Sequence, residues 1–77
     1  MIRQIYNPKQ TGQNIAYYRE SRGMTQTDLA SAIGKTESIV RKYENGQIDI
    51  PQVALAKLAT VLRVFPNMLI KFDTENV

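Results

Sequence analysis

The stretch TQTDLASAIGKTESIVRKYENG, residues 25–46, decides the fold. Thr25 is followed three residues later by Asp28, a capping-box arrangement with Asp in the usual Glu or Gln place. The Thr25 hydroxyl can accept from unpaired N–H groups of a first helical turn, and Asp28 lies near the positive helix end. Leu29, Ala30 and Ile33 follow at helical spacing. Gly34 ends that helix and permits the positive φ of a tight turn. Thr36 can N-cap a further helix over Thr36–Glu44, and Asn45-Gly46 closes it with two residues that tolerate left-handed backbone. The spacing predicts two short helices joined by a tight turn, a helix-turn-helix over residues 25–44.

On either side of this unit the punctuation continues. Upstream, Ile15, Tyr18 and Arg22 share one face of a helix expected over Gly12–Arg22, with Gly23 as its stop. Met1–Thr11 reads as irregular: Ile2–Tyr6 suits a short strand, and Asn7-Pro8 is a turn signal. Downstream, Gln47–Ile50 reads as a loop, and Pro51 fits the first turn of a fourth helix. Leu55, Leu58, Ala59 and Leu62 repeat at helical spacing up to Arg63, and Pro66 opens a short fifth helix to Ile70. The expected architecture is all-α, with an arm (1–11), a five-helix domain (12–70) and a tail (71–77), and strands at most at the ends.

Composition narrows the function. The 77 residues contain no cysteine and no histidine, which removes disulfides, Cys/His zinc sites, thiolate chemistry and imidazole acid–base catalysis. Asp28, Glu37 and Glu44 fall on different faces, so the carboxylates form no catalytic cluster; no enzyme activity, metal or cofactor is expected. No run approaches the roughly 18–20 apolar residues of a membrane span, and Met1–Gln10 has no signal-peptide core. A soluble, cytoplasmic protein is expected. All ten basic side chains, but five of the seven acidic ones, lie in residues 1–72, a balance compatible with nucleic acid. A core this small supplies about 3–5 kcal/mol, which favours oligomerisation.

Drawn as a wheel, the third helix gathers Thr36, Ile39, Val40 and Tyr43 on a core side and Glu37, Ser38, Arg41, Lys42 and Asn45 opposite. Entry into a DNA major groove requires such a face of hydrogen-bonding side chains. An ordinary solvated face looks the same, with Glu37 and Arg41 as a local i,i+4 pair.

The chain resembles the lambda-repressor-like, Cro/CI-type (XRE-like) helix-turn-helix family over Gly12–Ile70. The resemblance rests on Ile15, Arg19, Gly23, Thr25-Gln26-x-x-Leu29-Ala30, Ile33-Gly34, Thr36, Val40 and Tyr43-Glu44-Asn45-Gly46, then Leu55, Leu58-Ala59, Leu62 and Leu69. It implies a role for each matching position. Gln26 resembles the residue that hydrogen-bonds a phosphate and braces the third helix. Thr36, Glu37, Ser38 and Lys42 match positions that reach base edges or flanking phosphates, with Arg41 and Asn45 as backbone contacts. Charge alone, apart from the resemblance, makes Arg22, Arg41, Lys42 and Lys35 candidates to neutralise phosphates. Arg19 and Glu44 resemble a semi-buried structural ion pair. Three positions depart from the pattern: Lys35 stands at a usually apolar site, Arg63 replaces a glycine, and Phe65 replaces a polar cap.

The resemblance implies a sequence-specific regulator binding double-stranded DNA through the major groove. A repressor is expected, acting as a homodimer on a palindromic operator with half-sites about one turn apart. It is expected to be a bare module without a sensor domain. The alternative is an antitoxin that neutralises a toxin protein and represses its own operon. That alternative draws on Ile5-Tyr6-x-Pro8-x-Gln10, which is similar to the start of HipB-type antitoxins, and on a tail (Met68–Phe72) suited to strand addition. A restriction–modification controller protein is a third reading.

Overall fold

The computed structural model describes residues 1–77. Five helices and two strands follow in the order β1 (Ile2–Tyr6), α1 (Pro8–Ser21), α2 (Gln26–Ile33), α3 (Glu37–Glu44), α4 (Gln52–Leu62), α5 (Pro66–Leu69) and β2 (Phe72–Asn76). The five helices expected from the sequence are all present. No helix is long and apolar enough to cross a membrane.

The caps form largely as the residue types dictate. The Thr25 hydroxyl accepts from Asp28 N at 3.0 Å, and Thr25 N donates to Asp28 Oδ2 at 2.9 Å. Both halves of the capping box are therefore closed. Gly34 takes φ 71°, which reverses the chain between α2 and α3. Thr36 belongs to neither the core nor α3 itself. It is the exposed N-cap, its hydroxyl accepting from Ile39 N at 3.2 Å, because a capping residue needs extended backbone. Pro51, expected in the first turn of α4, instead occupies the position just before it, with φ −59° and ψ 150° and no side-chain cap.

The first helix begins at Pro8 rather than Gly12. Asn7-Pro8, read as a turn, is a helix start: Asn7 Oδ1 accepts from Gln10 N at 2.8 Å, and Pro8 occupies the first turn without missing its N–H. Gly12 lies within the helix for a packing reason. A Cβ there would fall onto the backbone carbonyl oxygens of Tyr43 and Glu44, so glycine lets α1 touch the end of α3.

A single core fills the space between the helices. Ile15 of α1, Leu29 and Ile33 of α2, Val40 of α3, Leu58 and Leu62 of α4, and Leu69 of α5 are all essentially inaccessible. Burying a side chain of this type contributes about 1.5–3 kcal/mol. Asn14 Nδ2 donates to Leu69 O at 3.0 Å and fastens α5 to α1.

The chain ends pair with each other. β1 and β2 form an antiparallel two-stranded sheet, in register from Ile2 opposite Asn76 to Tyr6 opposite Phe72. The stretch Met68–Phe72, expected to suit strand addition, is not the strand: Met68 and Leu69 close α5, and the strand that pairs with the arm of the same chain starts only at Phe72. Arg3 pairs with Glu75 across the ribbon, and the Tyr6 and Phe72 rings lie 5.9 Å apart. At its base Asn7 N donates to Lys71 O (2.8 Å), and Lys71 N donates to the buried Thr11 hydroxyl (2.9 Å).

Candidate nucleic-acid interface

Helix α3 is held from behind by apolar packing and by one charged cluster. Val40 and Tyr43 are buried, and burial raises the Tyr43 phenol above its ordinary pKa. Glu44, also buried, receives Arg19 Nε at 2.6 Å and Arg19 Nη2 at 3.0 Å. Arg19 Nη1 also donates to Met24 O at 2.8 Å. The hydrogen bond that Arg19 donates to Glu44 is the main cause raising the Arg19 pKa further above its usual value, so the guanidinium stays charged. Gln26 Nε2 donates to Glu44 Oε1 at 3.0 Å. One carboxylate therefore ties α3 to α1 and to the first turn of α2. No buried side-chain polar atom is left without a partner.

This anchoring orients the opposite face. Lys35, Thr36, Glu37, Ser38, Arg41, Lys42 and Asn45 are exposed, and all except Lys35 lie on α3 or its two caps. Lys35 sits in the turn before it. Ile39 is half-buried and packs against the core. Gln26 stands at the rim, half-buried, with one amide hydrogen committed to Glu44. Arg22 is exposed and stacks over Tyr18, 5.1 Å from the ring centroid.

The Glu37 carboxylate has partners on both sides. Thr27 Oγ1 donates to Glu37 Oε2 at 2.9 Å, and Arg41 Nη1 lies 3.5 Å from Glu37 Oε1. Sequence reasoning paired Glu37 with Arg41 but missed Thr27, ten residues earlier on a different helix. An exposed Thr in a first helical turn carries no signal of its own. Met24, whose carbonyl completes the Arg19 site, was missed as well, since any residue supplies a carbonyl.

At the α4–α5 corner the departures noted in the sequence take shape. Arg63 adopts φ 58° and ψ 46°, the left-handed conformation glycine would occupy without strain. Phe65 provides no side-chain cap, α5 still begins at Pro66, and the Phe65 ring is 75% exposed.

A short tight turn, a preceding helix that braces α3 and an outward polar face define a helix-turn-helix protein. Known proteins agree with this class. A family model described as Helix-turn-helix matches residues 15–65, and the chain belongs to that family, of the Cro/CI-type (XRE-like) kind, among transcriptional regulators. The chain is 38% identical over 65 residues to the HTH-type transcriptional regulator y4wC of Sinorhizobium fredii. That match takes in 84% of this chain and 45% of the relative, so the chain spans less than half of that protein's length. The restriction-modification controller protein C.AhdI from Aeromonas hydrophila superposes with a TM-score of 0.76 at 34% identity, covering 79% of this chain and 92% of that one. Hydroxypropylphosphonic acid epoxidase from S. wedmorenis superposes with a TM-score of 0.77 at 26% identity over 83% of this chain, but that covers 34% of the enzyme. The fold therefore occurs as a part of a larger enzyme too, and fold alone does not set function.

Proposed function

We propose that the protein is a sequence-specific DNA-binding transcriptional regulator, a repressor that reads a palindromic operator as a homodimer. The observation that carries this reading is the two-sided character of α3. Val40, Tyr43 and the Arg19–Glu44–Gln26 cluster fix its inner side, while Glu37, Ser38, Arg41 and Lys42 are exposed on the other. In this reading α3 lies in the major groove. Thr36, Ser38 and Lys42 meet base edges or flanking phosphates, Glu37 meets base edges, Arg41, Asn45 and Lys35 meet the backbone, and the second amide hydrogen of Gln26 binds a phosphate. The protein acts in the cytoplasm and carries out no catalysis.

Dimerisation follows from the size of the reading face. One good bidentate base contact discriminates by about 1–3 kcal/mol, and a two-turn helix makes few of them. Two copies on half-sites about 34–36 Å apart double the contacts. The exposed Phe65 and Met68 at the α4–α5 corner offer apolar surface for the contact between copies.

A narrower reading, a restriction–modification controller, draws on the similarity to C.AhdI across nearly all of that protein. An antitoxin reading draws on the unpaired outer edges of the β1–β2 ribbon, to which a partner's strand can add. The neighbouring gene separates them: restriction–modification genes favour the first, a toxin frame the second.

The test is an electrophoretic shift with DNA from upstream of the protein's own gene, repeated for Glu37→Ala, Ser38→Ala and Lys42→Ala. Weakened binding in these variants supports the reading. If all three bind like the parent, α3 is not the reading helix.

A further inference from the structure

The hydrogen bond between Thr27 and Glu37 has no counterpart in the roles assigned above. Thr27 is exposed, the cap of α2 is already supplied by Thr25, and the Thr27 hydroxyl points to the start of the neighbouring helix. Glu37 is the first residue of α3 and half-exposed, 51% for its side chain. A carboxylate there is compatible with the positive helix end, but it repels the phosphates that such an end otherwise attracts. Glu37 therefore turns this end of α3 away from the backbone and toward hydrogen-bond donors.

In the major groove the donors are the exocyclic amines, and a carboxylate pairs with the N4 amine of cytosine. A carboxylate oxygen accepts at two sites, so the bonds from Thr27 to Oε2 and from Arg41 to Oε1 leave acceptor capacity on each oxygen. Those two bonds also restrict a side chain with three rotatable torsions. A group held in its reading geometry discriminates better than a free one, because less freedom is lost on binding.

We propose that Thr27 is a specificity-positioning residue: its hydroxyl holds the Glu37 carboxylate at the start of α3, where it reads the N4 amine of a cytosine. The inference rests on the DNA-binding reading above. Thr27 itself touches no base. Its effect is confined to one base pair in each half-site, and it leaves phosphate contacts unchanged.

The experiment selects sites for the parent protein from a pool of random double-stranded DNA, then measures affinity for the selected site and for versions with each base pair replaced. The variants are Thr27→Val, Thr27→Ser, Glu37→Ala and the double variant Thr27→Val/Glu37→Ala. A C·G pair is expected at which Glu37→Ala loses discrimination. Thr27→Val lowers discrimination at that same pair by about five- to tenfold, roughly 1–1.4 kcal/mol. Its non-specific affinity, salt dependence and urea midpoint stay at parent values. Thr27→Ser, which keeps the hydroxyl, restores the preference, and the double variant behaves like Glu37→Ala alone. Thr27→Val matching the parent at that pair, or weakening binding evenly at every pair, overturns the inference while leaving the DNA-binding reading intact. A parent protein that selects no sequence at all overturns both.

Discussion

Replacing Glu44 by alanine removes the acceptor on which three side-chain hydrogen bonds converge, two from Arg19 and one from Gln26. The Arg19 side chain is only 11% exposed, and the half-buried Met24 carbonyl is its one remaining partner besides Glu20. Stranding a buried charge costs about 3–5 kcal/mol. Arg19 Nη2 also reaches the exposed Glu20 at 3.5 Å, so solvent screens part of the charge and the lower end, about 3 kcal/mol, applies. A domain of this size has little more than that to lose. At roughly 4–8 °C per kcal/mol, Tm should fall by roughly 12–24 °C. Glu44→Gln, which keeps an acceptor but no charge, should lie between. The double change Arg19→Met/Glu44→Leu should regain much of the loss, since apolar groups need no partner. Urea and thermal melts followed by circular dichroism measure all of these. A Glu44→Ala variant less than about 1 kcal/mol weaker than the parent would show that the pair is solvent-screened and does not anchor α3.

Three further outcomes follow from the packing and caps. Gly12→Ala should destabilise by about 1–3 kcal/mol despite alanine's better helix propensity, because the new Cβ meets the Tyr43 and Glu44 carbonyls; a raised urea midpoint would refute the close approach. Arg63→Gly should relieve left-handed backbone strain and raise stability by about 0.5–1 kcal/mol, read as a rise in Tm; no rise would mean the arginine side chain offsets the strain. The backbone hydrogen bond from Thr25, and then the bond with its side chain, hold the Asp28 carboxyl below the usual carboxylate range. Its folded pKa is depressed, so its contribution is present above the unfolded value of about 3.9 and is lost as pH falls through the folded one. The stability gap between the parent and Asp28→Asn should close as pH drops below about 4, and a gap constant with pH would count against the capping box.

Much of this fold is written in local chemistry. Thr25, Gly34, Thr36 and Pro66 each mark a boundary through a cap, a positive φ or a fixed one, and the helices begin or end within a residue of them. The start of α1 was hidden because Asn7-Pro8 suits a turn and a helix start equally, and because Gly12 resembles a breaker. Its reason lies across space, at the carbonyl of Glu44. The strand at Ile2–Tyr6 was readable from the sequence, but its partner was not, for a similar reason. Two five-residue strands at opposite ends of the chain, mixed in polarity on both faces, show their pairing only once α1 and α5 bring Asn7 beside Lys71. The exposed face of α3, with Glu37, Ser38, Arg41 and Lys42, was readable from helical periodicity, and the Arg19–Glu44 ion pair from the family resemblance. Thr27 was not, since its partner is fixed by how α2 meets α3.

The central claim is that α3 reads DNA from the major groove, and methylation interference on a selected binding site tests it most directly. Guanine N7 lies in the major groove and adenine N3 in the minor groove. N7 methylation should block binding within two half-sites about one helical turn apart, with N3 methylation tolerated at the same positions. Interference from adenine N3 alone, or from neither position, would contradict the account.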